Sequence, residues 1–274
     1  MTPGITPIYA ATRSALLDAL DALAGQHRAL ILVGAQAIFL HTGEVDEAIA
    51  TETKDADLAV DPRELSPDPR LEQAMTAAHF HLDLTNPQPG SWINAAGYPV
   101  DLLLPEAVSG RAGKGRSGRI PPHDNMSARR VRGIEGALVD HAPMIVTGLE
   151  AGDERQREVL VAGPSALLVA KLHKIADRVE QPRRQRPRDS HDVFRLLREV
   201  EVEAFAAGFM AMRAADVSRD VALEAIGHLR GLFGEPARHG AQQAAQAVTG
   251  LVADPEAVAL RCAVLAAEVL SAIQ

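Results

Sequence analysis

Apolar positions recur along this chain in three rhythms. Between Arg13 and His27, Leu16, Leu17, Leu20 and Leu23 fall at helical spacing and predict an opening helix. "ALILVG" is a continuous apolar run closed by Gly34, which reads as a buried strand, and "AQAIFLHTG" after it predicts a short helix stopped at Gly43. "DADLAV" alternates and predicts a second strand, followed by a Pro-punctuated turn and a helix through about Ala78. "HFHLDLT" and "YPVDLLL" predict further strands separated by the turn-rich "NPQPGSWINAAG". "SGRAGKGRSGRIPPHDN" is rich in Gly, Arg and Pro and predicts a long mobile loop, after which "PMIVTGL" and "EVLVAG" are expected to close the sheet.

From Pro164 the rhythm changes. "PSALLVAKLHKIADR" opens on Pro, as helix starts prefer, and everything after "RDSHDVFRLLREV" is Ala-, Leu- and Glu-rich at helical spacing. The expected organisation is an α/β (α+β) domain with a mixed sheet over residues 1–163, followed by an all-helical domain over 164–274.

Composition narrows the class. The chain has 274 residues, 47% of them hydrophobic, enough to bury a sizeable core. Neither a secretory leader nor an apolar run of about 20 residues is visible, so a cytoplasmic protein with no membrane span is expected. The single Cys262 excludes an internal disulfide framework and reads as a small core residue in a terminal helix. A net charge of -8 opposes general affinity for nucleic acid, yet the basic residues are gathered. Residues 111–133 hold seven (Arg111, Lys114, Arg116, Arg119, Arg129, Arg130, Arg132) against one acid, and residues 171–198 hold nine against four. Such grouping suits a local anionic ligand as well as a solvated Arg-rich surface. With 3% aromatic residues, stacking on single-stranded bases is not expected, and Trp92 and Tyr98 read as core.

The acids carry the chemistry. On a strand, Asp55, Asp57 and Ala59 share one face while Ala56, Leu58 and Val60 share the other. Two such carboxylates repel each other unless a cation lies between them, and Mg²⁺ (or Mn²⁺) suits oxygen-only ligands. Asp101, in the apolar "YPVDLLLP", is a candidate third ligand, so that Asp55, Asp57 and Asp101 together could hold metal ions. The alternative is that Asp55 begins a strand and Asp57 solvates an edge. Upstream, Gly34 permits a tight turn whose following helix N-terminus offers donors to a phosphate.

This order resembles the nucleotidyltransferase superfamily: a Gly-Gly or Gly-Ser turn opening a helix (here Gly34 and Ala35), Asp-x-Asp on the next strand (Asp55 and Asp57) and a third Asp later (Asp101). It looks most like the AbiEii-type toxins of bacterial toxin-antitoxin systems. Thr53, Asp55, Asp57 and Leu58 match their T-x-D-x-D-L, "LLVAKLHKIADR" their Lys-bearing helix, and "RPRDSHDV" their R-x-K/R-D-x-x-D. Ala35 stands where Gly or Ser is usual, and Thr51 where Arg often stands. The resemblance implies a nucleotidyltransferase-like fold and metal-dependent transfer of a nucleoside monophosphate from an NTP to an acceptor hydroxyl. In some relatives the acceptor looks to be the 3' end of tRNA, and a cognate antitoxin would be a partner.

In the helical half, Lys171, Lys174 and Arg178 line one helix side beside an apolar stripe. The resemblance implies that Lys171, with Lys174, serves the triphosphate, and that Asp189 or Asp192 is an active-site residue; Asp189 reads equally as a helix N-cap. Thr53 joins Gly34 and Ala35 as nucleotide-binding candidates. Arg111, Lys114, Arg116 and Arg119 would form a clamp for RNA phosphates, or a solvated loop. His79, His81 and His191 lack a convincing metal set. Competing readings are transfer to a small molecule such as an aminoglycoside, transfer to a protein hydroxyl, and a non-catalytic nucleotide- or partner-binding protein.

Overall fold

The computed structural model describes residues 6–43, 53–83, 88–111, 115–249 and 254–273. The apolar runs build its sheet. β1 (Leu30–Val33) is buried at every position because it lies in the middle, antiparallel to β2 (Ala56–Val60) and parallel to β10 (Gln156–Ala162). β2 continues parallel to β5 (Pro99–Pro105), and β5 antiparallel to β4 (Ser91–Ile93), which pairs with β3 (His81–Leu82). At the other edge β9 (His141–Thr147) runs antiparallel to β10. The order is therefore β3-β4-β5-β2-β1-β10-β9, a mixed sheet.

Several local expectations are corrected. The first helix, α1 (Pro7–Ala22), starts before Arg13, because Thr6 caps it by accepting from the Tyr9 amide at 3.2 Å. The turn-rich stretch before Tyr98 contains β4, anchored by the buried Trp92, whose indole donates to the Ser127 carbonyl at 2.9 Å. Of the strand expected over "HFHLDLT", His81–Leu82 form β3, His79 and Phe80 precede it, and Leu84 and Thr85 lie outside the described residues. The Gly- and Arg-rich segment expected to be a mobile loop contains β6 (Gly110–Arg111) paired with β7 (Gly118–Arg119), and β8 (Arg129–Val131) follows it. β8 runs parallel to the second half of β5, beyond the reach of β4. Composition hides this because Gly and Pro weaken strand propensity, while the open edge of β5 still requires backbone partners.

The helix after the Pro-punctuated turn is α3 (Leu71–Ala77), and the later helices follow as expected from Pro164. They are α4 (Pro164–Ala176), α5 (Pro187–Glu199), α6 (Val202–Ala214), α7 (Arg219–Phe233), α8 (His239–Ala247) and α9 (Pro255–Ala272). A continuous apolar cluster runs from β1 and β2 through Leu168 and Leu172 of α4 to Cys262 and Val269 of α9. Burial pushes the Cys262 thiol up to about 12, in keeping with a core residue. Among the described residues no helix is long and apolar enough to cross a membrane.

The joint between sheet and helices is α2 (Gly34–Thr42), which contacts β1, β2, α4 and α5. It is clamped from both sides. The buried Arg13 of α1 donates to Gln36 Oε1 at 2.7 Å, and Arg195 of α5 donates to Thr42 Oγ1 at 2.6 Å and the Gly43 carbonyl at 3.0 Å. Both ends of a nine-residue helix are thus fixed, and with them the position of Gly34.

Candidate active site

The register of β2 and β5 decides the geometry. Asp57 and Asp101 are direct partners on parallel neighbours, so their side chains leave the sheet on the same face, about 4.8 Å apart at the backbone. Val33 is Asp57's partner on the other side, so the turn into α2 sits directly against it. Gly34 has φ +71°, and a Cβ there would lie 2.2 Å from Asp57 Oδ2. The missing side chain is the room that the carboxylate occupies. Gly34→Ala is accordingly expected to displace Asp57 and to cost about 1–3 kcal/mol of stability from backbone strain alone. Thermal unfolding together with transfer activity reads both effects.

Asp55 lies one residue before β2, not within it, and is exposed. Thr53 is buried, and its carbonyl accepts from the Thr12 hydroxyl at 3.2 Å, tying this approach to α1. Ala35 is half-buried in the first turn of α2. Thr51 and Lys114 lie outside the described residues.

Electrostatics single out Asp57. Burial, with Asp55 and Asp101 nearby, raises its carboxyl to about 7, against a smaller opposing pull from Lys174 and Lys171. Asp101 is answered differently: Arg129 of β8 donates to its Oδ2 at 2.5 Å. The three carboxylates do not lie within 4.8 Å of one another. The excess negative charge around Asp57 and the oxygen-only donor set nonetheless fit a hard divalent cation, which Asp55, Asp57 and Asp101 could hold. In the sequence Arg129 is only one basic residue among the seven of its segment. Its relation to Asp101 arises from the pairing of β8 with β5, for which a single sequence carries no signal.

A second charged group stands on the helices. Lys171 of α4 is 7% exposed, and its Nζ donates to Asp189 Oδ1 at 2.9 Å and Asp192 Oδ2 at 2.6 Å. Lys174 lies 3.1 Å from Asp189 Oδ1, and Arg178 donates to Asp189 Oδ2 at 3.0 Å. Burial opposes the Lys171 charge, but Asp189 and Asp192 outweigh it and raise its pKa. Burial likewise opposes the Asp189 charge, and Lys171 and Lys174 overcome it, holding the carboxyl well below the usual range. The expectation that Asp189 is an N-cap is corrected: Arg186 is the cap of α5, and Asp189 sits inside the first turn with its carboxylate turned to three cations. Lys171 is thus braced inside an ion cluster, while the Lys174 side chain is 43% exposed.

Of the basic clamp candidates, Arg116 and Arg119 are exposed, and Arg111 belongs to β6. Ser117, between the first two, is bridged to Arg129, so the segment stands beside the residue that reaches Asp101.

The family model described as nucleotidyltransferase matches residues 12–211, spanning the sheet, the carboxylates and the Lys171 cluster. No curated protein matches the chain. Among solved structures, the solution structure of the antibiotic-resistance factor ANT(2'')-Ia is similar at 17% identity, with a TM-score of 0.43, over 80% of this chain and 98% of that one.

Proposed function

The chain belongs to the nucleotidyltransferase family, and from that premise we propose that it transfers a nucleoside monophosphate from an NTP to an RNA 3' end, releasing pyrophosphate, at the Asp55, Asp57 and Asp101 centre. The observation that carries this reading is the in-register pair of Asp57 and Asp101 beneath Gly34, with the Asp57 carboxyl raised to about 7.

Mg²⁺ or Mn²⁺ held by Asp55, Asp57 and Asp101 would neutralise the triphosphate and make the acceptor hydroxyl a better nucleophile. Asp57 must surrender its proton before it can serve as a ligand. The amides of the first turn of α2, freed of side-chain bulk at Gly34, point donors at a phosphate. Lys174 offers its exposed charge to the triphosphate, and Lys171, bonded to Asp189 and Asp192, fixes the stretch of α4 that presents it. Lys174→Ala is expected to raise KM for the NTP about 10-fold, the worth of one charged contact, with a small loss of thermal stability because Asp189 keeps Lys171 and Arg178. Steady-state kinetics beside a melting curve checks it.

The RNA acceptor is supported by Arg116 and Arg119, exposed next to the Arg129 that holds Asp101. The match of Thr53, Asp55, Asp57 and Leu58, and of "RPRDSHDV", to the AbiEii-type pattern supports a cytoplasmic toxin silenced by a cognate antitoxin. The test offers α-labelled NTPs with a divalent cation to total RNA, an aminoglycoside panel and a protein mixture. Labelled RNA is expected. Label confined to the drug or to protein overturns the RNA acceptor while leaving the transferase reading intact.

A further inference from the structure

Among the described residues, one group of three metal-capable side chains closes to within 4.8 Å, and it lies outside the carboxylate centre: His173, Glu224 and His228. His173 is on α4, between Lys171 and Lys174. Glu224 and His228 are on α7, one turn apart, so they share a face of that helix. We propose that these three residues bind a zinc-class divalent ion that ties α4 to α7.

The hydrogen bonding around the group orients it as metal sites are oriented. The His173 Nε2 lies 2.9 Å from the Val221 carbonyl. A carbonyl can only accept, so Nε2 carries the proton and Nδ1 keeps its lone pair. That Nδ1 faces Glu224 Oε2 at 3.9 Å. Arg132 grips the carboxylate through both oxygens, donating to Glu224 Oε1 at 2.5 Å and to Oε2 at 3.3 Å, and so fixes the edge on which Oε2 also faces His173. This is the pattern of outer partners that fix ligand direction around a metal. Gly133 closes the back of the site: at φ +95°, a Cβ there would lie 2.5 Å from the His173 Cβ, so backbone packs on that side chain and limits its movement. The His228 ring meets the His173 ring edge-on with centroids 5.0 Å apart.

The chemistry of the donors agrees. Neutral imidazole is the metal-binding form, and the Val221 carbonyl already holds the His173 proton on Nε2, away from the lone pair that faces Glu224. Two imidazoles and one carboxylate are a three-protein-ligand zinc set, with the fourth position open to water. Bond lengths of about 2.0–2.2 Å place tetrahedral ligand atoms about 3.4 Å apart, so the 3.9 Å separation needs only a small closure. His173 is buried, His228 half-buried and Glu224 exposed, so an ion can enter from solvent on the α7 side. The ion would also brace α4 beside Lys171.

The test uses the full-length chain stripped with a chelator and titrated with Zn²⁺ against a chromophoric competitor. Wild type is expected to take up one zinc per chain and to melt at a higher temperature with it. His228→Ala, at a half-buried position, is expected to melt like zinc-free wild type and to weaken binding by about 100-fold or more; Arg132→Ala is expected to weaken it about 10-fold. Asp57→Asn is expected to bind zinc as wild type does. No zinc uptake by wild type, equal uptake by His228→Ala, or loss of uptake in Asp57→Asn would each overturn the assignment.

Discussion

Asp57→Asn is expected to lower nucleotidyl transfer by about 10³-fold or more, because several kcal/mol of charge stabilisation depend on its carboxylate and each 1.36 kcal/mol is a factor of ten. The same variant is expected to be at least as heat-stable as wild type when no metal is present. Asp57 is raised to about 7 by burial and by Asp55 and Asp101, whereas an unfolded aspartate titrates near 3.9. Between about pH 4 and 7 the folded chain therefore keeps a proton that the unfolded chain has released. The stability this contributes is complete below about pH 4 and is lost as pH rises through 7. The amide side chain of the variant has no such proton to lose. Melting curves in chelator should show wild type falling relative to the variant from pH 4 to 7, then running parallel above. Activity should show the complementary acid limb near 7, displaced to lower pH by excess metal, since cation and proton compete for one carboxylate.

Lys171→Met is the second large effect, and it concerns folding more than chemistry. The ammonium is buried and bonded to Asp189 and Asp192, themselves 6% and 4% exposed. Removing it leaves Asp189 with Lys174 and Arg178 but strips Asp192 of its closest cation, so breaking the pair should cost about 3–5 kcal/mol. For a chain of this size that is a fall of about 10 °C in melting temperature. Denaturant unfolding should show a lower midpoint at unchanged slope. A midpoint within error of wild type would mean that Lys171 is not the brace of this cluster. The contrast with Lys174→Ala separates the two lysines: one variant loses the fold's margin, the other loses affinity for the triphosphate.

These expectations depend on parts of the molecule that the sequence reveals unequally. The buried run of β1, the alternation of β2 and the apolar β5 are strong local signals, and the helices after Pro164 follow from spacing alone. Asp57 and Asp101 stand out because charged residues within apolar strands are costly and call for an explanation. The direct pairing of the two is a matter of register, which one strand read alone does not contain. Arg129 is invisible for a related reason: β8 has the composition of a loop and becomes a strand by filling the open edge of β5. Asp189 shows the reverse. Its position near a helix start suggests a cap, and only the packing of α4 on α5 reveals three cations around it. The His173, Glu224 and His228 group joins residues far apart in sequence, so only the packing of α4 on α7 makes it legible.

The role proposed for the Asp57 centre is to move a nucleotide with the help of a divalent cation. The most direct measurement is transfer of α-labelled phosphate to acceptor with pyrophosphate release, compared between wild type and Asp57→Asn, with and without Mg²⁺. Labelling by wild type that requires the cation and disappears in the variant is the predicted result; labelling that survives chelation, or that the variant performs equally well, would contradict it.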